Sequence, residues 1–244
     1  EQEIVDLAHL LMMVKQPVDG HQQIGRDLVQ PQPGAGADGL LQLVVVEQCL
    51  GEADHGVHPP VAVDVEVFYD KPLLARMASL IREVAPDVLL VPSPFDYMED
   101  HTNTCRLAVM GAFCRGMPNF PVTPPRPAVD RPVTVYHAQP HGHRDALNRF
   151  CEPDFFIDIG SVIEEKTEAL AEHKSQQAWL DASQAMNAYL QAMQDLCREM
   201  GARSGRCIFA EGWRRHNHLG FCDPGTDPLC EILSEHLLPP PAAA

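Results

Sequence analysis

Apolar positions along the chain fall into two regimes that meet near residue 64. Beyond that point short apolar runs alternate with longer stretches in which apolar residues recur every three or four positions, the pattern of strands followed by helices. Val65-Glu66-Val67-Phe68-Tyr69 alternates as a strand. Asp70 is placed to cap a helix starting at Lys71-Pro72, and Leu73, Leu74, Met77, Leu80, Ile81 and Val84 share one face of it. Proline at its first turn costs nothing, since those N–H groups have no partner inside the helix. Pro86 ends that helix, and Val88-Leu89-Leu90-Val91 reads as a strand apolar on both faces, as a covered parallel strand would. A helix opened by His101 places Cys105, Ala108, Val109, Ala112 and Phe113 on one face, with Gly116 set to cap its end. Residues 133–136 and 155–159 are further strands. Ser161 and Glu164 have the spacing of a capping box for a helix over residues 162–173. A second helix spans residues 176–200 and stops at Gly201, and residues 207–210 form a last strand leading to Glu211-Gly212-Trp213-Arg214-Arg215-His216. Strands alternating with helices of ten or more residues predict an α/β fold with a mainly parallel sheet.

Residues 1–63 lack this regularity. A helix near residues 4–14 and a buried strand at residues 40–46 are separated by Gln-, Gly- and Pro-rich sequence without periodicity, and a structureless run of that length is foreign to a compact domain. The expected organisation is an atypical segment at 1–63, poorly ordered or mistranslated, a domain at 64–236 and a disordered tail at 237–244. Prolines crowd residues 117–132, which read as an ordered surface loop bordering the strand ends.

Composition narrows the partners. The 244 residues (27.0 kDa) are 45% hydrophobic and 21% charged, with no apolar run near the roughly 20 residues of a membrane span. A net charge of −16 excludes nucleic acid, which requires clustered Lys and Arg. Glu1-Gln2-Glu3 shows no basic-then-apolar leader pattern, so a soluble, cytoplasmic protein is expected. The eight cysteines form no C-x-x-C pair and read as buried reduced thiols.

Polar chemistry gathers after the 88–91 strand, in Pro92-Ser93-Pro94-Phe95-Asp96-Tyr97-Met98-Glu99-Asp100-His101. Loops at the carboxyl ends of parallel strands form the ligand crevice of open α/β sheets, so His101 is the leading site residue. Asp96 and Glu99 read as solvated loop carboxylates, and Asp100 as an N-terminal charge complementing the helix dipole. His137, His141 and His143 form a second polar tip, and His141 and His143, two apart on a loop beside the site, read either as exposed loop histidines or as stand-ins for an absent ligand or acid. His55 and His58 have an i, i+3 spacing suited to a metal on a helix, but Gly56, Pro59 and Pro60 favour a loop.

Several segments taken together resemble the LmbE-like, or PIG-L, family of zinc-dependent de-N-acetylases. They are Pro86-Asp87-Val88, Asp96-Tyr97-Met98-Glu99-Asp100-His101, Asp158-Ile159, the stretch from Lys166 through His173 to Ser175-Gln176, and Ala210-Glu211-Gly212-Trp213-Arg214, in that order over about residues 64–216. The resemblance implies a Rossmann-like, three-layer α/β/α fold and hydrolysis of a small N-acetylated, sugar-like substrate. It implies zinc as cofactor, His101 as a zinc ligand and Asp100 as a catalytic residue acting from behind it. The sequence departs from the family in two places. Met98 stands where many members have a histidine, and no His-Pro-Asp-Asp string, the family's N-terminal metal motif, occurs; His58-Pro59-Pro60 is the nearest. An altered or mistranslated N-terminal segment, a fragment of a catalytic protein, and a non-catalytic α/β binding protein all accommodate that gap. A homo-oligomer formed through an unpaired strand edge is also expected if residues 1–63 supply no strand.

Overall fold

The computed structural model describes residues 43–45, 67–171 and 188–240. These form a six-stranded sheet with helices packed against it. In chain order the elements are β1 (Leu43–Val45), α1 (Lys71–Val84), β2 (Val88–Val91), α2 (Glu99–Cys114), β3 (Thr134–Ala138), a short 3₁₀ turn (His141–His143), β4 (Phe155–Asp158), α3 (Ile163–Ala171), α4 (Ala188–Ser204), β5 (Ala210–Arg215), α5 (Pro228–Ile232) and β6 (Leu237–Leu238). The sheet order is β1-β2-β3-β5-β4-β6.

The expected α/β class holds, but the sheet is mixed rather than mainly parallel. β1, β2 and β3 run parallel, while β5 lies antiparallel between β3 and β4, and β6 pairs antiparallel with β4. Strand direction depends on how the chain returns, which hydrophobic patterning does not encode. The strand expected at residues 40–46 supplies β1, with Leu43 opposite Val88 and Val45 opposite Leu90. Leu237 and Leu238, assigned from sequence to the tail, sit opposite Ile157 and Phe156.

β2 is buried at every position, as an all-apolar strand requires. Its residues divide between two clusters: Val88 and Leu90 pack with Tyr136, Ala138, Phe155, Ile157 and Trp213, whereas Leu89 and Val91 pack with Met77, Ile81, Leu107, Val133 and Val135. This alternation covers both faces of the sheet centre.

Local signals at α1 are realised. The Asp70 carboxylate accepts from Leu73 N at 2.8 Å, and the chain leaves the helix through Ala85 in the left-handed region (φ 48°) just before Pro86. Other boundaries moved for identifiable reasons. Residues 67–70 form no strand, because Val67 O is taken by Asn103 Nδ2 of α2 at 2.9 Å. α2 begins at Glu99, two residues before His101, and ends at Arg115 rather than through a left-handed Gly116. Ser161 does not cap α3; Val162 O accepts from Lys166 N, which starts the helix one residue later than the capping box requires. α4 passes through Gly201 and ends at Gly205 (φ 65°). Glycine is needed at 201 for another reason, since a Cβ there would lie 2.2 Å from Ile208 O. β5 occupies Ala210–Arg215, beyond the expected 207–210, so the polar residues after the apolar run are the strand itself.

Two buried cations hold this framework. Arg82 of α1 donates to the carbonyls of Cys114, Arg115, Met117, Phe120 and Arg126, organising the proline-rich loop without regular structure. Lys166 of α3 is paired with Glu211 of β5, and Glu211 also accepts from Trp213 Nε1 at 3.2 Å. Burial disfavours the Lys166 charge, but the Glu211 carboxylate outweighs it and raises the pKa. The seven described cysteines are thiols, four of them buried, and no described helix is long and apolar enough to cross a membrane.

Removing one member of the Lys166–Glu211 pair leaves the other charge buried, a loss of about 3–5 kcal/mol. Lys166→Met is therefore expected to lower stability by about that amount in urea unfolding, and Lys166→Met with Glu211→Gln to recover more than half of it.

Candidate functional site

The carboxyl ends of β2 and β3 lie side by side, and the residues that follow them assemble the site. After β2, Ser93 Oγ donates to Phe95 O and accepts from Arg214 Nη2 at 2.7 Å, fastening the β2 loop to β5. Asp96 then turns the chain: its Oδ1 accepts from Met98 N at 2.9 Å and meets His101 Nδ1 at 3.1 Å. The Asp96 side chain is 3% exposed, so it is an inward-facing partner of the imidazole and not the solvated loop carboxylate expected. Met98 caps α2 without a side-chain bond, and Asp96 meets its N–H from two residues earlier. A carboxylate on Nδ1 sets the His101 ring orientation and directs Nε2 away from Asp96.

Asp100 lies half-buried in the first turn of α2, next to exposed Glu99. Carboxylates there are favoured by the helix dipole. The second polar tip separates. His143 is buried and its Nε2 bonds to Leu196 O of α4, while exposed His141 stands edge-on to the Tyr97 ring at 6.2 Å. Tyr97 meets the His101 ring at the same centroid distance. His101, Tyr97 and His141 thus form one rim, and His143 belongs to the core. His173, Ser175, Gln176, His55 and His58 lie outside the described residues.

His137 is a strand residue, 4% exposed, rather than part of an exposed tip. Its Nδ1 faces Pro92 O at 3.2 Å, so the proton belongs there and Nε2 accepts from His216 Nδ1 at 2.9 Å. Burial, with His216 and Arg214 adding to it against the Pro92 carbonyl, lowers the His137 pKa to about 4. Burial also lowers that of His216. The pair is neutral at pH 7 and joins β3 to the end of β5.

Arg214 stands directly opposite His137 across the β3–β5 pairing. Its Nη2 reaches Ala138 O at 3.4 Å as well as Ser93, and no described carboxylate forms an ion pair with it. Burial lowers its pKa, opposed by Cys151, Asp154 and Cys105. Cys151 in turn lies in the field of both Arg214 and Asp96, which places the two within one neighbourhood.

Sequence reasoning took Asp96 for a solvated loop carboxylate, placed Arg214 beyond the last strand and did not single out Gln139. An aspartate two residues before a helix N-terminus is a legible turn signal. Gln139 had none, since it became a site residue only when β3 proved to end at Ala138.

Zinc requires three or four converging protein ligands. Among the described residues no three His, Cys, Asp or Glu side chains converge as a metal group. His101 with Asp96 behind it suits one ligand position, but one imidazole does not make a three-ligand site. The described residues alone do not fit the metal.

No protein-family profile matches the sequence. The diacetylchitobiose deacetylase of Thermococcus kodakarensis is 26% identical over 117 residues, 46% of this chain and 40% of that protein. The N,N'-diacetylchitobiose deacetylase of Pyrococcus horikoshii, solved with its inhibitor MPG, superposes with a TM-score of 0.50 at 21% identity, covering 71% of this chain and 63% of that one. The chain is a distant homologue of diacetylchitobiose deacetylase. It spans about two fifths of the length of the curated deacetylase it matches. GalB, the 4-carboxy-2-hydroxymuconate hydratase of Pseudomonas putida KT2440, superposes with a TM-score of 0.46 at 22% identity, covering 61% of this chain and 59% of that one. Within this homology, the sequence fragments that resemble the deacetylase family divide by role: Asp96 and His101 build the site, whereas Lys166, Glu211 and Trp213 hold α3 against β5.

The His137 shift fixes the sign of an acid effect. With a folded pKa near 4 and an ordinary value of 6.5, the unfolded chain binds the extra proton between these limits. Stability is then full above about pH 6.5 and falls as pH drops toward 4, by roughly 2–4 kcal/mol from this residue. Urea midpoints between pH 7.5 and 4.5 should show this decline, and His137→Gln should flatten it.

Proposed function

We propose that the chain is a hydrolase of the deacetylase type, removing the acetyl group from a small N-acetylated, sugar-like substrate in a zinc-dependent reaction. The observation that carries this reading is the His101 imidazole held through Nδ1 by buried Asp96 at the end of β2. The distant homology to diacetylchitobiose deacetylase supports both substrate class and reaction. His101 is assigned as one zinc ligand, Asp96 as its orienting partner and Asp100 as a second positioning carboxylate. The remaining ligands would come from outside the described residues.

The chain's own groups perform identifiable tasks in this reading. Asp96 holds the imidazole in one orientation, so that it does not rotate away when a ligand enters. Tyr97 and His141 border the opening, offering ring faces and edges to a sugar. The neutral His137–His216 pair keeps added positive charge away from Arg214. The absence of a His-Pro-Asp-Asp string favours a second reading, a non-catalytic α/β binding protein.

Metal content separates the two. The purified full chain should carry close to one zinc per molecule, lost in His101→Ala and weakened about 10–100-fold in Asp96→Asn. Acetate release from N-acetylglucosamine or diacetylchitobiose should follow the same order. A chain without zinc and without acetate release would leave the binding-protein reading.

A further inference from the structure

Three polar atoms at the ends of β3 and β5 are buried without a hydrogen-bond partner: Oε1 and Nε2 of Gln139, and Nε of Arg214. Gln139 is 4% exposed. Leaving such groups unmet costs about 1–3 kcal/mol each, so a native structure that keeps them together calls for a molecule that meets them. They are neighbours. Arg214 pairs with His137 across the sheet and its guanidinium reaches the carbonyl of Ala138, the residue before Gln139. Gln139 follows directly on the last residue of β3, and carrying the strand alternation one residue past Ala138 puts it on the face of His137 and Arg214. Two residues further on, the His141 ring meets the Tyr97–His101 rim, so these atoms border the proposed site.

We propose that Gln139 and Arg214 are the anchor for the substrate's N-acetyl group. The unmet donors and acceptors define what fits them. Oε1 needs a donor, whereas Nε2 and Arg214 Nε need acceptors. A trans secondary amide points its N–H and C=O in opposite directions and therefore spans two groups: the N–H is given to Gln139 Oε1 and the carbonyl oxygen accepts from Arg214 Nε. A hydroxyl on the neighbouring carbon then accepts from Gln139 Nε2. A carboxylate offers acceptors alone and would leave Oε1 facing negative charge. The half-buried guanidinium, in no ion pair with a described carboxylate, also polarises the carbonyl it holds. This assignment takes its substrate from the deacetylase reading above, but its geometry stands on the unmet atoms themselves.

Calorimetric titration of the full chain with N-acetylglucosamine, glucose and acetate tests it. The wild type should bind N-acetylglucosamine at least about tenfold more tightly than glucose, a preference of about 1.4 kcal/mol. Gln139→Met and Gln139→Leu should reduce that preference below about threefold while melting at or above the wild-type temperature, because they remove an unmet polar group. His101→Ala should lose acetate release and keep the preference. Equal affinity for the two sugars, no binding of either, tighter binding of acetate than of the N-acetyl sugar, or an unchanged preference in both Gln139 variants overturns the anchor, whatever the turnover. An intact, Gln139-dependent preference in a chain that releases no acetate supports the anchor and removes the hydrolase reading instead, so the two fail separately.

Discussion

The buried ion pair between Lys166 and Glu211 is the constraint on which the described structure depends. Glu211 lies on β5, the strand that turns a parallel set into a mixed sheet by running antiparallel between β3 and β4. An antiparallel strand in that position could slip by two residues and keep its apolar face inward. A slip would carry the Glu211 carboxylate away from the Lys166 ammonium and from the Trp213 indole, leaving charges in the core without partners. The pair therefore sets register as well as stability. With it, Arg214 falls opposite His137, and His216 emerges where its ring can meet that of His137.

Once β5 is registered, the site follows from two strand ends and one cross-strand arginine. Arg214 draws in the β2 loop through Ser93, and the Asp96 turn that follows presents His101. Arg214 thereby couples a core lock to the ends of β2 and β3. This coupling also explains why the fragments that resemble the deacetylase family lie so far apart in sequence. Asp96 to His101 makes the imidazole, Lys166 and Glu211 fix the strand, and Arg214 joins them. A family pattern can therefore mark residues that hold the scaffold as surely as residues that touch a ligand.

A second consequence is electrostatic. The site combines a guanidinium with no described carboxylate in an ion pair, a neutral histidine pair and an aspartate turned inward. The −16 formal charge of the whole chain says nothing of this, since a sum over the sequence does not show which groups lie together. Local burial decides which groups ionise: it pushes His137 down to about 4, and it leaves the lysine charged only because a carboxylate lies against it.

The sequence by itself determined the α/β class, the helix over residues 71–84 with its Asp70 cap, the fully buried 88–91 strand and the strand near Leu43–Val45. Each of these rests on local physics: hydrophobic period, a capping side chain, or proline geometry. Tertiary structure decided the rest. The mixed sheet, the start of β5 at Ala210, the burial of Asp96 and the split between His141 and His143 all depend on which distant backbone or side chain fills a given position. Val67 lost its strand to an asparagine 36 residues away, and Gly201 stays inside a helix because a carbonyl seven residues on leaves no room for a Cβ. Gln139 is the clearest case. Nothing in its neighbours along the chain marks it, and it acquires a role only because folding buries its amide beside Arg214 and leaves its hydrogen bonds unmade.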